Sequence, residues 1–173
     1  MADYILFAGR LDKTKGIHIL FEAWESIDRY DLIVCGIGPE EEWCRNFIEN
    51  KGITNIRMLG RKEKGELIPI MKKAKAVILP TQLYEGFPMT IAESLSNGVP
   101  VLGSNIGNVD TIIQEGINGL HFQYNFAADI VRAVEEVDKI EWEKVMSVPR
   151  EYGPEENYSI LMDIYKKCIE ECK

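Results

Sequence analysis

Short apolar runs rich in Val, Ile and Leu recur along the chain: "YILFAG", "DLIVCG", "NIRML", "AVILP", "PVLGS" and "GLHF". Each is too short to stand as a helix, and most are bounded by Gly, Pro, Asn or Asp, which marks a strand. Nearly all are continuously apolar rather than alternating, which predicts strands covered on both faces. Longer segments of helical period lie between them. "HILFEAWESI" places Ile19, Leu20, Ala23, Trp24 and Ile27 on one face. "EEEWCRNFIENKG" does the same with Trp43, Phe47 and Ile48, and Gly52 is a fitting C-cap. "ELIPIMKKA" and "MTIAESLSNG" follow, the second running to Gly98. Strand–helix–strand alternation predicts a parallel sheet with helices on both sides. Beyond the last run, "ADIVRAVEEV" and "EENYSILMDIYKKCIEECK" read as amphipathic helices with no strand after them. "SVPREYGPEE" reads as a hinge-like connection, because Pro149, Gly153 and Pro154 interrupt helical structure. No internal repeat or linker divides the chain, so residues 1–173 are expected to form a single domain.

Composition narrows the function classes. The chain is 46% hydrophobic and 28% charged, which suits a folded domain. Its formal net charge of -8 argues against a surface built for nucleic acid or anionic membrane. No apolar run approaches the roughly 20 residues needed to cross a bilayer. "MADYILFAGR" lacks the basic start of a signal peptide, so a cytoplasmic protein is expected, peripheral to a membrane at most through its substrate or a partner. Cys35, Cys44, Cys168 and Cys172 fit no common zinc spacing and read as reduced structural thiols. His18 and His121 have no metal-like partner in sequence and read as structural.

In open α/β sheets ligands bind beyond the carboxyl ends of the strands, so the loops after each run carry the chemistry. The first is "GRLDKTKG", where Gly9 and Gly16 bracket Arg10, Lys13 and Lys15. A Gly-containing turn before a helix offers free N–H groups to an anion, and Arg10 and Lys15 add full charges; a solvated basic turn is the plainer alternative. The spacing is not that of a Walker loop. The second loop, "GIGPEEE", has Gly36 and Gly38 but Glu41 at the place of the third fingerprint glycine. It reads as a tight turn with Pro39 opening a helix, not as a dinucleotide site. Gly60 and Arg61 follow the third strand and could lie near a base or ribose, or form ordinary surface.

The loop after the fourth strand, "PTQLYEGFPMTIAES", holds two acids. Pro88 suits the first turn of a helix, Gly86 and Phe87 lie at its mouth, and Glu85 stands just outside. Glu93 falls on the polar side of that helix with Thr90 and Asn97, opposite Ile91, Ala92 and Leu95. Solvated acids are the plain reading. A carboxylate beside an anion site makes chemical sense if it serves hydroxyl groups of the same ligand.

Taken together these pieces resemble the C-terminal, donor-binding domain of retaining glycosyltransferases of the GT-B fold, the "group 1" or family-4 class. "LFAGRLDKTKG" is similar to the family's first strand and phosphate loop, "YEGFPMTIAES" to its E-x7-E motif, and "NGVPVLGSNIGNVDTIIQEGINGLHF" to the strand, loop and Gly-turn that follow. The resemblance covers nearly the whole chain and implies a Rossmann-like three-layer α/β/α domain, one half of a GT-B fold, with a parallel sheet of about six strands and C-terminal helices. It implies that Gly9, Arg10 and Lys15 grip the donor diphosphate, and that Arg10 and Lys15 stabilise it as it leaves. Gly60 and Arg61 join the donor site. Glu85 would face the sugar as a catalytic or orienting carboxylate, and Gly86, Phe87, Pro88, Met89 and Thr90 would line the sugar and phosphate. Glu93 would hold the ribose hydroxyls. The two acids would then hold the two polyol ends of one ligand. After the fifth strand the family often has two glycines followed by Glu; this chain reads Gly107-Asn108-Val109-Asp110.

The resemblance also implies a nucleoside-diphosphate sugar as substrate, UDP-sugar ahead of GDP-sugar, with no cofactor and no required metal. Complete enzymes of the class have a second, N-terminal domain that contacts the acceptor. It is not in this sequence, so the chain alone is expected to be an incomplete catalytic unit. A non-catalytic interaction subunit of a two-chain enzyme is the alternative reading, and a nucleotide-sugar epimerase a more distant one.

Overall fold

The computed structural model describes residues 3–147 and 154–171. The hinge-like stretch expected around Pro149 and Gly153 lies outside the described residues, as does Cys172.

All six apolar runs are strands: β1 (Tyr4–Ala8), β2 (Asp31–Cys35), β3 (Ile56–Gly60), β4 (Ala76–Leu79), β5 (Val101–Ser104) and β6 (Gly119–Phe122). They pair in parallel throughout, in the order β3-β2-β1-β4-β5-β6. β4 and β5 are buried at every residue, as their unbroken apolarity predicts. β3, at the sheet's edge, alternates instead: Ile56 is buried while Arg57 and Leu59 are exposed. One side of an edge strand has less to cover it, and its composition follows.

The helices between strands are α1 (Ile17–Trp24), α2 (Glu41–Lys51), α3 (Lys64–Lys73), α4 (Met89–Ser96) and α5 (Gly107–Ile112); α6 (Ala127–Glu135), α7 (Trp142–Ser147) and α8 (Pro154–Glu171) follow the sheet. α1 packs against both α2 and α6 on one face. Right-handed crossovers send α3, α4 and α5 to the other. α2 starts at Glu41, two residues after Pro39, and ends where Gly52 takes the left-handed conformation. α3 is opened by a reciprocal capping box between Glu63 and Glu66, and it continues through Pro69. The core gathers Phe21, Trp24, Phe122 and the aliphatic residues of the inner strands. Trp24 satisfies its indole N–H on the Tyr30 carbonyl at 3.2 Å, so its large apolar surface is buried without an orphan donor. Between α1 and α2 His18 stacks on Trp43, ring centroids 3.7 Å apart, and its Nε2 meets Glu40. The structural expectation for His18 fits this packing.

α8 differs from the rest. Tyr158, Ile160, Leu161, Ile164, Tyr165 and Ile169 are all exposed on it, as is Cys168.

Candidate active site

The strand order reverses direction between β1 and β4: β2 and β3 extend one way from β1, and β5 and β6 the other way from β4. Loops leaving neighbouring strands at such a point diverge to opposite faces and leave a crevice at the strands' carboxyl ends. The β1 loop, starting at Gly9, and the β4 loop, Pro80 to Pro88, form its walls.

Both walls are tied together. Gly16 has φ 73°, and a Cβ there would lie 1.7 Å from the Pro80 carbonyl oxygen, so only glycine lets the basic turn rest on the end of β4. The Gln82 N–H donates to the Thr14 carbonyl at 2.8 Å. Asp12 caps the short turn Lys13–Lys15, accepting the Lys15 N–H at 3.0 Å and the Thr14 hydroxyl at 2.5 Å. Partial burial would raise the Asp12 carboxyl; the hydrogen bonds from Thr14 and from the Lys15 N–H outweigh it and hold the carboxyl below its ordinary value. The turn is thereby fixed with Lys15 facing the β4 loop.

Gly36 and Gly38 do a different job from a dinucleotide fingerprint. A Cβ on Gly36 would lie 1.8 Å from the Gly9 carbonyl oxygen, and one on Gly38 2.2 Å from that of Leu11. The Leu11 N–H donates to the Ile37 carbonyl and the Glu40 N–H to the Leu11 carbonyl, both at 3.0 Å. The incomplete G-x-G lets the β2 loop lie flat against the β1 loop, which is the tight turn its sequence predicts.

Two adjoining lobes open in the crevice and share Ala8, Gly9 and Thr90. The first, about 290 Å³, is lined by Gly9, Arg10, Gly36, Arg61, Lys62 and Thr90 among others. The second, about 210 Å³, is lined by Gly9, Lys15, Thr81, Glu85 and the run Phe87 to Thr90. Pro88 stands at the N-cap of α4 and makes no side-chain cap bond, and Phe87 to Thr90 line this lobe, so the first turn of α4 opens onto it.

The cations are paired with carboxylates. Lys15 Nζ lies 2.8 Å from Glu85 Oε2, Arg10 Nε 3.3 Å from Asp12 and Arg61 3.2 Å from Glu63. Arg10 is 70% exposed, so its pair is loose and its guanidinium can turn.

The site residues expected from sequence therefore come together in part. Gly9, Arg10, Arg61 and Thr90 meet in one lobe; Lys15, Glu85, Phe87, Pro88 and Met89 meet in the other. Arg10 and Lys15 stand on separate lobes joined by Gly9. Gly60 lies behind the wall, at φ 68°, and its carbonyl receives the Gly36 N–H at 2.9 Å. Gly86 is exposed beside the second lobe. Glu93 lies one helical turn beyond Thr90, outside both lobes' walls, and faces Lys64 Nζ at 3.4 Å. Lys62, Lys64 and Leu67 were not singled out by sequence. They come from the α3 region, and only the order of strands in the sheet brings Lys62 and Leu67 to the first lobe and Lys64 to Glu93.

The site also has an apolar rim. Ile37, Phe87 and Met89 line the lobes and are exposed, as are Leu83 and Tyr84 of the β4 loop. His121 is not part of it. Its Nδ1 meets Glu115 at 2.7 Å and its backbone N–H donates to the same carboxylate at 2.8 Å, tying β6 to the turn before it.

The comparisons with known proteins agree with this fold. The family model "Glycosyl transferases group 1" matches residues 1–155. An uncharacterized glycosyltransferase of Methanocaldococcus jannaschii, MJ1178, is 30% identical over 132 residues, which is 76% of this chain and 37% of that protein. Among solved structures, the apo form of the lipopolysaccharide outer core galactosyltransferase WaaB superposes with a TM-score of 0.83 at 21% identity, over 96% of this chain and 50% of that one. Anabaena Alr3699/HepE in complex with UDP gives 0.80 at 19%, over 95% and 49%. The chain thus spans about a third to a half of the length of the proteins it matches. No helix among the described residues is long and apolar enough to cross a membrane. By its six-stranded parallel fold, its crevice and the family match, the chain belongs to the group 1 glycosyltransferases, with the Rossmann-like architecture of a GT-B domain.

Proposed function

We propose that this chain is the donor-binding half of a retaining glycosyltransferase, and that its crevice takes a nucleoside-diphosphate sugar, UDP-sugar ahead of GDP-sugar. The observation that carries the reading is the Lys15–Glu85 pair at the uncapped start of α4. A diphosphate carries more charge than one carboxylate. Entering the second lobe, it would take Lys15 from Glu85 and meet the α4 N–H groups at the same time. Glu85, released, would turn its oxygens to the hydroxyls of the attached sugar. Arg10, loosely held by Asp12, would close on the diphosphate from the other side of Gly9.

Glu93 would exchange Lys64 for the ribose hydroxyls, with the nucleoside lying toward the first lobe, which Arg61 and Thr90 line. As the glycosidic bond breaks, negative charge grows on the leaving diphosphate, and Lys15, Arg10 and the α4 N–H groups would stabilise it. These groups carry the charge without a metal in this reading. A UDP complex of a solved relative of the same fold supports the choice of base.

The acceptor site would come from a second domain, on the same protein or on a partner. The exposed apolar residues of the rim and of α8 support that, since surfaces of this kind usually have an occupant. Calorimetric titration with UDP, GDP and ADP, in chelator and then with magnesium, tests the reading. Binding of one diphosphate in chelator is expected. A folded sample that binds none would favour an interaction subunit instead.

A further inference from the structure

The segment Leu83–Pro88 has no regular secondary structure, and Leu83, Tyr84, Gly86 and Phe87 are exposed in it. It nonetheless has to present Glu85 at a fixed place. Its start is held by Thr81, whose hydroxyl lies 3.4 Å from both the N–H and the carbonyl of Leu83. Farther along, two side chains from outside the segment take hold. Lys15 grips Glu85 from the β1 side. From the β5 side, Asn108 Nδ2 donates to the Gly86 carbonyl.

Asn108 stands on a firm base. It is the second residue of α5, whose Val109 is fully buried. Val109 and Ile113 fill the space that a side chain at Gly103 would need. The Thr111 hydroxyl donates to the Asn108 carbonyl at 3.0 Å. The preceding residue, Gly107, lies against Tyr84, so the two segments touch at adjacent positions. An amide reaching from this base can hold Gly86 in place; a glycine at 108 could not.

We propose that Asn108 is a positioning residue for the donor sugar: its amide latches the Gly86 carbonyl and keeps Glu85 in place once the donor diphosphate has drawn Lys15 away. This rests on the donor-site reading above. The two tethers have different fates in that reading. The ionic one is exchanged for phosphate, whereas the amide latch is neutral and does not compete with an anion. Asn108 itself lines neither lobe of the crevice. Its loss should therefore spare binding of the nucleoside diphosphate and weaken what the attached sugar adds.

Asn108→Asp and Asn108→Ala test this. The aspartate keeps the shape and loses the donor, so a role in packing alone would survive it. Amide order parameters of the ligand-free chain come first, because they need no ligand. For this measurement both variants are made on a Lys15→Ala background, which stands for the lysine drawn away. The order parameters of Glu85, Gly86 and Phe87 should then fall below about 0.6, with the β5 amides and the melting temperature as in Lys15→Ala alone. Affinities for UDP and for UDP-glucose, UDP-galactose and UDP-N-acetylglucosamine come second. Both variants should bind UDP within about twofold of the parent and lose at least about fivefold on the sugar nucleotide that the parent prefers. Unchanged order in the segment, or equal losses for UDP and its sugar conjugate, would overturn the latch. A parent chain that binds no UDP would overturn the donor-site reading instead, and the order parameters would still decide the latch.

Discussion

At the amino edge of the sheet one carboxylate, Asp138, accepts from Arg29, from the Tyr30 hydroxyl at 3.1 Å and from Lys75 at 2.5 Å. At the carboxyl edge the cations face acids one to one: Lys15 with Glu85, Arg10 with Asp12, Lys64 with Glu93. Both edges enclose a cavity and both are rich in charge; the amino-edge cavity, about 460 Å³, is lined by Asp3, Arg29, Tyr30, Lys75 and Asp138. The difference lies in saturation. Both Asp138 oxygens have donors, and Lys75, only 18% exposed, is largely covered where it meets the 38%-exposed Asp138. Removing the carboxylate there leaves the largely covered Lys75 without its counter-ion, at a cost that solvent access to the cluster keeps small. Each carboxyl-edge pair can part, and a polyanion can replace the acid. A charged cavity is thus a candidate site when its pairs are single and separable, and a structural clasp when they converge on one atom group.

The comparison can be broken by substitution. The largest effect is expected from Gly38→Val, which forces a side chain into the 2.2 Å gap to the Leu11 carbonyl. It should cost about 3 kcal/mol of stability by urea unfolding, as overpacking does. A neutral result would mean that the two loops do not depend on that close approach. Next comes Lys15→Ala, expected to weaken UDP binding by about 1.5–3 kcal/mol, the range for hydrogen bonds to charged groups, while changing stability by less than about 0.5 kcal/mol. Loss of stability without loss of affinity would make Lys15 a clasp like Lys75.

Glu93→Ala should cost UDP about 1.5 kcal/mol, while Glu85→Ala leaves UDP within about twofold and acts on the sugar conjugate. Equal effects of both on free UDP would undo the division of labour between the acids. The smallest effect belongs to Asp138→Asn, about 1 kcal/mol of stability with UDP affinity unchanged, because the group is partly open to solvent. Hydrogen bonds from Lys75 and Tyr30, with the Arg29 charge, hold the Asp138 carboxyl below its ordinary value against the opposing effect of burial. A carboxyl lowered in the fold stabilises above its unfolded value and loses that contribution as pH falls through its folded value. The gap between parent and Asp138→Asn should therefore be full at neutral pH and close below about pH 4.

The sheet was legible because its strands advertise themselves. An unbroken run such as "AVIL" between Lys75 and Pro80 has no other stable use in a domain of this size. α1 and α2 were legible from one apolar stripe each. α7 was not, since "WEKVMS" is too short to show a period. The acids Glu85 and Glu93 could be named from their motif, and their ionic partners could not. Lys15 comes from the β1 loop and Lys64 from α3, and only the strand order brings them near α4. The same holds for Asn108, whose role depends on β5 lying beside β4. Gly36 and Gly38 show the converse: a partial motif whose glycines serve the contact between two loops of the chain itself.

The claim that the carboxyl-edge pairs are exchangeable and the amino-edge cluster is not can be tested in one titration. UDP added to the isotope-labelled chain should shift the amide resonances of Gly9 to Gly16 and of Glu85 to Glu93 together, leaving Tyr30, Lys75 and Asp138 unmoved. Shifts centred on Asp138 and its partners, or none at either edge at millimolar UDP, would contradict the account.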